Sequence, residues 1–294
     1  MIPIHSIIHA SLGIIGFVAN SLLLVAVILS RRNPFLRTYS LLLFNSAITD
    51  FVASVTDGLT MIRYSNVCSK TTPKYCDRIV VDQVSIVYIY NGPCGAISEP
   101  TCFFLYSLML HFTMHSIALM AVSFWFRSIA LSGSIPSIMR LQLICAIVLA
   151  PSLILHASFA RVVRSIVQFL WACSPRDEVA EILHRVYPDL DASDLTITGS
   201  VSTLGPHTSA STLYICILPI IAYAVIILMR RKVKRKLAEV TSMSDRTKSM
   251  HEALVRALTV HAFLPISLFA GIGSFELLSF GVPRSEFLES FATM

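Results

Sequence analysis

The sequence predicts an all-α polytopic membrane helix bundle with six full transmembrane helices, and three observations carry that prediction. Of the 294 residues, 55% are hydrophobic and only 14% are charged. The mean hydropathy of +0.72 lies outside the soluble globular range, because a water-soluble chain this apolar would lack a polar surface. The apolar residues gather into six runs, and most of the basic residues fall in the segments between them.

A hydrocarbon core of about 30 Å takes about 20 apolar residues in a helix. The runs 4–30, 39–62, 97–131, 141–160, 207–229 and 254–280 meet or nearly meet that length. No basic residue precedes the first run, which is too long for the apolar part of a cleavable signal, so it reads as the first helix and its own signal anchor. Pro151, Pro219 and Pro265 sit inside the fourth, fifth and sixth runs. Each removes a backbone hydrogen bond and supplies a kink or hinge. Beyond the sixth run, residues 284–294 form a stub that reaches about 17 Å as a helix. Glu286 and Glu289 make its insertion costly, so a further span is expected to be missing or truncated.

Charge sets the orientation. Arg31, Arg32 and Arg37, then Arg127 and Arg140, then the dense block at 230–236 all fall on one side. The opposite side has longer loops with scattered bases and the acids Asp177, Glu178, Glu181, Asp189, Asp191 and Asp194. The positive-inside rule then puts the N-terminus outside and 230–253 in the cytoplasm as a basic loop. The net charge of +6 is accounted for by topology and anionic lipid, and nucleic acid is not an expected partner. In the outer loop 161–206, Ser174-Pro175-Arg176-Asp177 reads as a helix start. Val179, Ile182, Leu183 and Val186 then recur at helical spacing, up to the stop at Pro188. This short helix is either a lid over a ligand cavity or a plain surface helix.

Cys68, Cys76, Cys94, Cys102 and Cys173 fall on or near the outer side, where disulfides form. Cys102, at the outer end of the third span, is expected to pair with Cys173 and pin the second outer loop. Cys68 and Cys76 would close a hairpin, and unpaired thiols are the alternative for both pairs.

Ionisable groups at membrane depth are functional candidates by default. Asp50 lies within Asn45-Ser46-Ala47-Ile48-Thr49-Asp50 and should point inward, toward Asn20, Asn45 or Ser107, or bind a cation; a structural knot between helices is the other reading. His111 and His115 are one turn apart on the third span, but no third ligand is evident, so packing is expected and no metal or cofactor. Arg127 follows Phe124-Trp125-Phe126 at the inner end of that span, either snorkelling to headgroups or acting as a switch. Glu99 and Glu276 lie near the outer rim, where either could contact a polar ligand and solvation is the expected role. There is no Gly-x-Ser-x-Gly, His-Glu-x-x-His or Walker-type glycine loop, which argues against an enzyme.

These residues resemble the serpentine receptor class delta family of nematode chemoreceptors, within the wider seven-transmembrane superfamily. The resemblance rests on strings spread in order along nearly the whole chain. Leu36-Arg37-Thr38-Tyr39-Ser40 leads to Asn45 and Thr49-Asp50, and Gly92-Pro93-Cys94 leads to Cys102. Tyr106-Ser107-Leu108-Met109-Leu110-His111 is followed by His115-Ser116, and Met243-Ser244 and Thr247-Lys248-Ser249-Met250-His251 lead to Arg256-Ala257-Leu258-Thr259. A weaker similarity to rhodopsin-like receptors implies a bundle of that type. It likens Asn20 and Asp50 to the polar residues of their first and second helices, and Arg127 to the arginine ending the third. It likens Pro219 to the fifth-helix proline and Phe263-Leu264-Pro265 to the sixth-helix aromatic-x-proline toggle. Arg127 follows Cys102 at about the spacing those receptors keep between disulfide cysteine and arginine, so the similarity implies the bridge to Cys173 over one using Cys94. Phe126 stands where an acid usually sits beside the arginine, so the acid–arginine restraint of the resting state is absent from the pattern.

The resemblance implies a receptor in the plasma or ciliary membrane of sensory neurons. It would bind a small environmental molecule outside and couple to a heterotrimeric G protein inside. Its switch or coupling candidates are Asp50, Arg127, Phe263, Pro265, Lys248 and Arg256, with Asn20, Asn45 and Asp50 as the polar core of the bundle. A truncated, non-signalling receptor is the alternative that the stub suggests. A transporter or channel would show paired intramembrane charges and internal repeats, which the sequence lacks.

Overall fold

The computed structural model describes residues 4–30, 37–60, 79–82, 85–90, 92–132, 136–159, 174–186, 188, 192–193, 195–201, 206–239, 255–256 and 259–260. The helices are α1 (Ile4–Ser30), α2 (Arg37–Thr60), α3 (Glu99–Ala130), α4 (Ile138–Phe159), α5 (Arg176–Val186) and α6 (Pro206–Glu239). Residues 255–256 and 259–260 are also helical. The rest of the expected sixth span, the stub 284–294 and the Cys68–Cys76 hairpin lie outside the described residues.

Helix α3 runs through the middle of the bundle. Its apolar residues pack on α6 through Met114, Ile117, Met120 and Phe124 against Ala222 and Ile226. Another side packs on α2 and α4 through Leu119, Val122 and Phe126 against Leu42, Leu141 and Cys145. Outward-facing apolar side chains on α1, α4 and α6 stay exposed, among them Ile14, Leu22, Leu143, Ile147, Ile220 and Leu228. An exposed apolar belt around a buried helix is what a lipid solvent permits and water does not. The Glu99–Ala130 and Leu213–Ala238 stretches are long and apolar enough to cross a membrane; Gly13–Leu29 and Ile138–Ile154 are apolar but shorter.

Helix α2 carries many polar side chains along its length, yet four of its hydroxyls do not need water. Thr49 donates to the Asn45 carbonyl at 2.7 Å, Ser54 to Asp50 at 2.8 Å, Thr56 to Val52 at 2.8 Å and Thr60 to Thr56 at 2.9 Å. Each hydroxyl is satisfied one turn back on its own helix, which makes it tolerable at membrane depth.

Helix α6 continues through Arg230–Lys236 to Glu239, past the boundary expected at residue 229. The basic block contains no glycine or proline, and Arg, Lys, Leu and Ala all favour helix, so the span ends in charge without unwinding.

The molecule is mostly helical, but the all-α expectation misses a three-stranded antiparallel sheet. Strands β1 (Ile79–Asp82), β2 (Ser85–Tyr90) and β3 (Thr196–Ser200) pair in the order β1-β2-β3. Both outer loops contribute, with Ile89 opposite Ile197 and Tyr88 opposite Thr198. Alternation explains the register: Val87 and Ile89 on β2 join Ile197, Val179, Ile182 and Leu183 in a core under α5. The alternate residues Tyr88 and Tyr90 pack instead on Cys94, Cys102 and Tyr106 at the top of α3. β-branched and aromatic residues dominate these strands, as pleated, half-buried surfaces favour.

The cap is anchored at three places. The Gly92 amide donates to the Thr60 carbonyl at 3.1 Å, satisfying an orphan acceptor at the end of α2. Arg176 pairs with Glu99 and donates to the carbonyls of Ala192, Ser193 and Leu195, tying α5 and the approach to β3 to the start of α3. Glu99 therefore holds structure at the rim, where solvation or contact with a polar ligand was expected.

The third anchor corrects an expectation. Cys102 is bonded to Cys94 and not to Cys173, with Cα atoms 5.2 Å apart. A 3-10 turn at Pro93–Ala96 folds Cys94 back onto the first turn of α3, and both cysteines are buried. Closing an eight-residue separation needs little loop entropy, so the local pairing wins over one spanning the second outer loop. Cys173 itself lies outside the described residues.

A Cβ at Gly92 would collide with the backbone of Leu59 and Thr60, which has no flexible end to yield, whereas one at Gly13 meets nothing within 4 Å. Gly92→Ala is expected to destabilise the purified protein by about 1–3 kcal/mol in thermal unfolding, with Gly13→Ala unchanged or slightly stabilised. Equal midpoints for the two variants would contradict this anchoring.

Candidate functional site

The α2–α3 seam carries the polar residues that matter most. Tyr39 and Asp50 are eleven residues apart on α2, and Ser116 and Arg127 are eleven apart on α3. Eleven residues make about three helical turns, so each pair shares one face, separated by about 16 Å. The two helices run in opposite directions, so the pairs meet as two rungs in register.

The mid-span rung is a 2.5 Å hydrogen bond from the Ser116 hydroxyl to Oδ1 of Asp50. The sequence reading pointed Asp50 toward Asn20, Asn45 or Ser107, and did not include Ser116. Asn20 donates to the carbonyl of Gly16 on its own helix at 2.9 Å. At Gly16, α1 approaches α2 so closely that a Cβ would sit 2.9 Å from the Ser54 hydroxyl. Asn45 reaches the Cys145 thiol on α4.

The inner rung replaces the absent acid–arginine pair. Arg127 is 4% exposed, and its Nη2 donates to the Tyr39 hydroxyl. The guanidinium carbon also lies 4.8 Å from the centroid of the Tyr39 ring, within cation–π range. Phe126, in the position expected to hold an acid, stacks on Tyr39 with centroids 6.5 Å apart and planes 22° apart. An aromatic residue before the arginine thus serves to seat the tyrosine that holds it. Nε and Nη1 of Arg127 are buried without a hydrogen-bond partner among the described residues. A buried cation with two unpartnered nitrogens, which carry three N–H donors between them, is costly.

Two further contacts frame the seam. Lys236 on α6 donates to the Ser128 carbonyl at 3.0 Å and to the Ser132 hydroxyl, placing a cation at the negative end of α3. Higher in the bundle, the Tyr214 hydroxyl of α6 is 2.5 Å from Ser152 of α4, and its ring centroid lies 6.1 Å from that of His111. Nδ1 of His115 is buried without a hydrogen-bond partner among the described residues. No group of three His, Cys, Asp or Glu side chains suited to a metal occurs among the described residues.

Arg256 is exposed beside α6, at the inner end of the bundle. Lys248, Phe263 and Pro265, the other switch candidates, lie outside the described residues. Tyr39 and Ser116 were not singled out as functional. The signal that would have found them is the matched eleven-residue spacing on two neighbouring antiparallel spans.

Comparison with known proteins adds a family to this geometry. The sequence profile of the family described as "Serpentine type 7TM GPCR chemoreceptor Srd" matches residues 5–294. The chain is 29% identical over 294 residues to serpentine receptor class delta-18 of Caenorhabditis elegans, covering 98% of this chain and 80% of that one. It is 27% identical over 282 residues to serpentine receptor class delta-1 of the same nematode, covering 93% and 69%. It is also 27% identical over 268 residues to serpentine receptor class delta-3, covering 86% and 70%.

Tyr39→Phe removes the acceptor of the Arg127 hydrogen bond and leaves the ring in place. The loss of a buried hydrogen bond to a charged group is expected to destabilise the protein by about 1.5–3 kcal/mol in thermal unfolding. Tyr39→Ala, which also removes the ring under the guanidinium, should cost more. An unchanged midpoint for Tyr39→Phe would contradict the rung.

Proposed function

Because the chain belongs to the serpentine class delta family of seven-transmembrane chemoreceptors, we propose that it binds a small environmental molecule on its outer side and signals through a heterotrimeric G protein on the Arg127 side. The family is one of multi-pass membrane receptors, not enzymes. In this reading the N-terminus lies outside and the protein resides in the plasma or ciliary membrane of sensory neurons. The basic block at 230–236 faces the cytoplasm, in keeping with the positive-inside rule.

The observation that carries the reading is the state of Arg127. A buried guanidinium held by a neutral tyrosine, with two of its nitrogens unpartnered among the described residues, is weakly restrained compared with one held by a carboxylate. Ligand binding need only favour the helix packing in which those donors find a partner, since differential contacts supply the free energy for the shift. Pro219 inside α6, and Pro265 in the sixth span, provide places where a helix can bend as the inner ends separate. Lys248, Arg256 and Phe263 would act at the inner end and hinge of that sixth span.

The test is a G-protein activation assay on cells expressing the full chain, exposed to a panel of small volatile and water-soluble compounds. A ligand-dependent response is expected in the wild type, falling to background in Arg127→Ala at matched surface expression. A response that survives Arg127→Ala undiminished would overturn the role given to this residue.

A further inference from the structure

Beside the inner end of α6 lies a cavity of about 470 Å³ that the receptor reading leaves unused. Arg230, Lys234 and Arg256 line it together with Val233, Leu237 and Val255. Arg230, Lys234 and Leu237 recur at three- and four-residue spacing, so helix periodicity aims them at the same side. Arg256 closes the cavity from the helical segment opposite. No carboxylate lines it among the described residues. Nε of Arg230 is buried without a hydrogen-bond partner among the described residues. Three cations gathered around a space with no carboxylate among the described residues, one cation with a buried donor unmet, call for an anion of more than one charge. Two guanidinium forks match the paired oxygens of a phosphate.

The cavity's position says where that phosphate comes from. Arg230 is the first charged residue after the apolar run of α6, and Ile227 and Leu228 just before it are exposed. Val260, which also lines the cavity, is 61% exposed. The mouth therefore opens beside lipid-facing surface, while the interior walls are split between cations and the buried side chains of Val233, Leu237 and Val255. A free phosphate would satisfy the cations and leave the apolar surface at the mouth uncovered. A phospholipid would satisfy both, with its headgroup on the three bases and its chains along Ile227, Leu228 and Val260. Basic pockets between membrane helices bind such headgroups.

We propose that the cleft between α6 and residues 255–256 and 259–260 is a binding site for a membrane phospholipid whose headgroup carries phosphate monoesters, of the inositol-phosphate class. Bound there, the lipid bridges α6 to the segment opposite and stabilises one separation of their inner ends. The inference rests on the membrane reading but not on G-protein coupling.

The experiment uses the purified full chain in nanodiscs of phosphatidylcholine containing a few mole per cent phosphatidylinositol 4,5-bisphosphate, with bound lipid counted by native mass spectrometry. Wild-type protein is expected to retain the inositol lipid. Arg230→Gln combined with Lys234→Gln should weaken retention about tenfold or more, from the loss of charge-assisted contacts. Arg231→Gln combined with Lys232→Gln removes equal charge from exposed positions outside the cavity and should leave retention unchanged. Thermal unfolding in pure phosphatidylcholine discs identifies any variant that fails to fold, and Arg256→Gln, exposed on the facing segment, provides an independent second test. Equal loss in both double variants would overturn the site in favour of diffuse charge attraction. Displacement of the lipid by soluble inositol trisphosphate at equal concentration would overturn the lipid as its occupant. Retention no greater than that of phosphatidylcholine would overturn the proposal outright. Because the readout involves no G protein, its failure is separable from failure of the signalling assay.

Discussion

The bundle depends on how α2 and α3 together dispose of their ionisable groups at membrane depth. A carboxylate at mid-span and a guanidinium near the inner end are costly in hydrocarbon, and each needs a partner supplied by a neighbouring helix. Helix α3 supplies Ser116 for the carboxylate on α2, and α2 supplies Tyr39 for the guanidinium on α3. Asp50 accepts from Ser116, Arg127 donates to Tyr39, and the shared eleven-residue spacing keeps both rungs in one seam. Sliding α2 along α3 by one turn would break both rungs together. The seam therefore fixes register more than it adds stability, because apolar contacts in a lipid solvent do little to select one register over another.

The outer cap depends on the same two helices. Cys94 is tethered to Cys102, Glu99 to Arg176, and the Gly92 amide to the end of α2, so the sheet and α5 are seated on the outer end of the α2–α3 seam. The alternating faces of β2 place one small apolar core under α5 and a second group of aromatics over α3. The cap is thus continuous with the seam below it. The short helix α5 has its own buried face against the sheet, which makes it a built part of the cap and not a segment lying on the membrane surface. At the inner end, Lys236 joins α6 to the last carbonyls of α3, so α3 is held by different partners along its length.

Long elements were legible in the sequence because length and apolarity are strong, local signals. The runs now seen as α1, α3 and α4 stand out from composition alone, and Ser174-Pro175 marks the start of α5 through cap chemistry. The sheet was missed because β1 and β2 lie in a connection between two stronger apolar runs, where a short β-branched string competes poorly as a signal. Cys94–Cys102 was missed because a spacing carried over from other receptors was weighed above local geometry, and the turn at Pro93 that brings Cys94 back is not visible as periodicity. Asp50 and Arg127 were legible because charge at membrane depth is rare. Their partners were not, because serine and tyrosine are ordinary in helices and carry no formal charge to flag the pairing.

The central claim is that the α2–α3 seam is held by specific polar pairing, and a double-mutant cycle on its mid-span rung tests it most directly. Asp50→Asn, Ser116→Ala and the double variant would be compared by equilibrium unfolding in one detergent. A coupling of about 1.5–3 kcal/mol is predicted, the range for a hydrogen bond to a charged group. Additive effects within about 0.5 kcal/mol would contradict the claim, because Asp50 and Ser116 would then be neighbours without being partners.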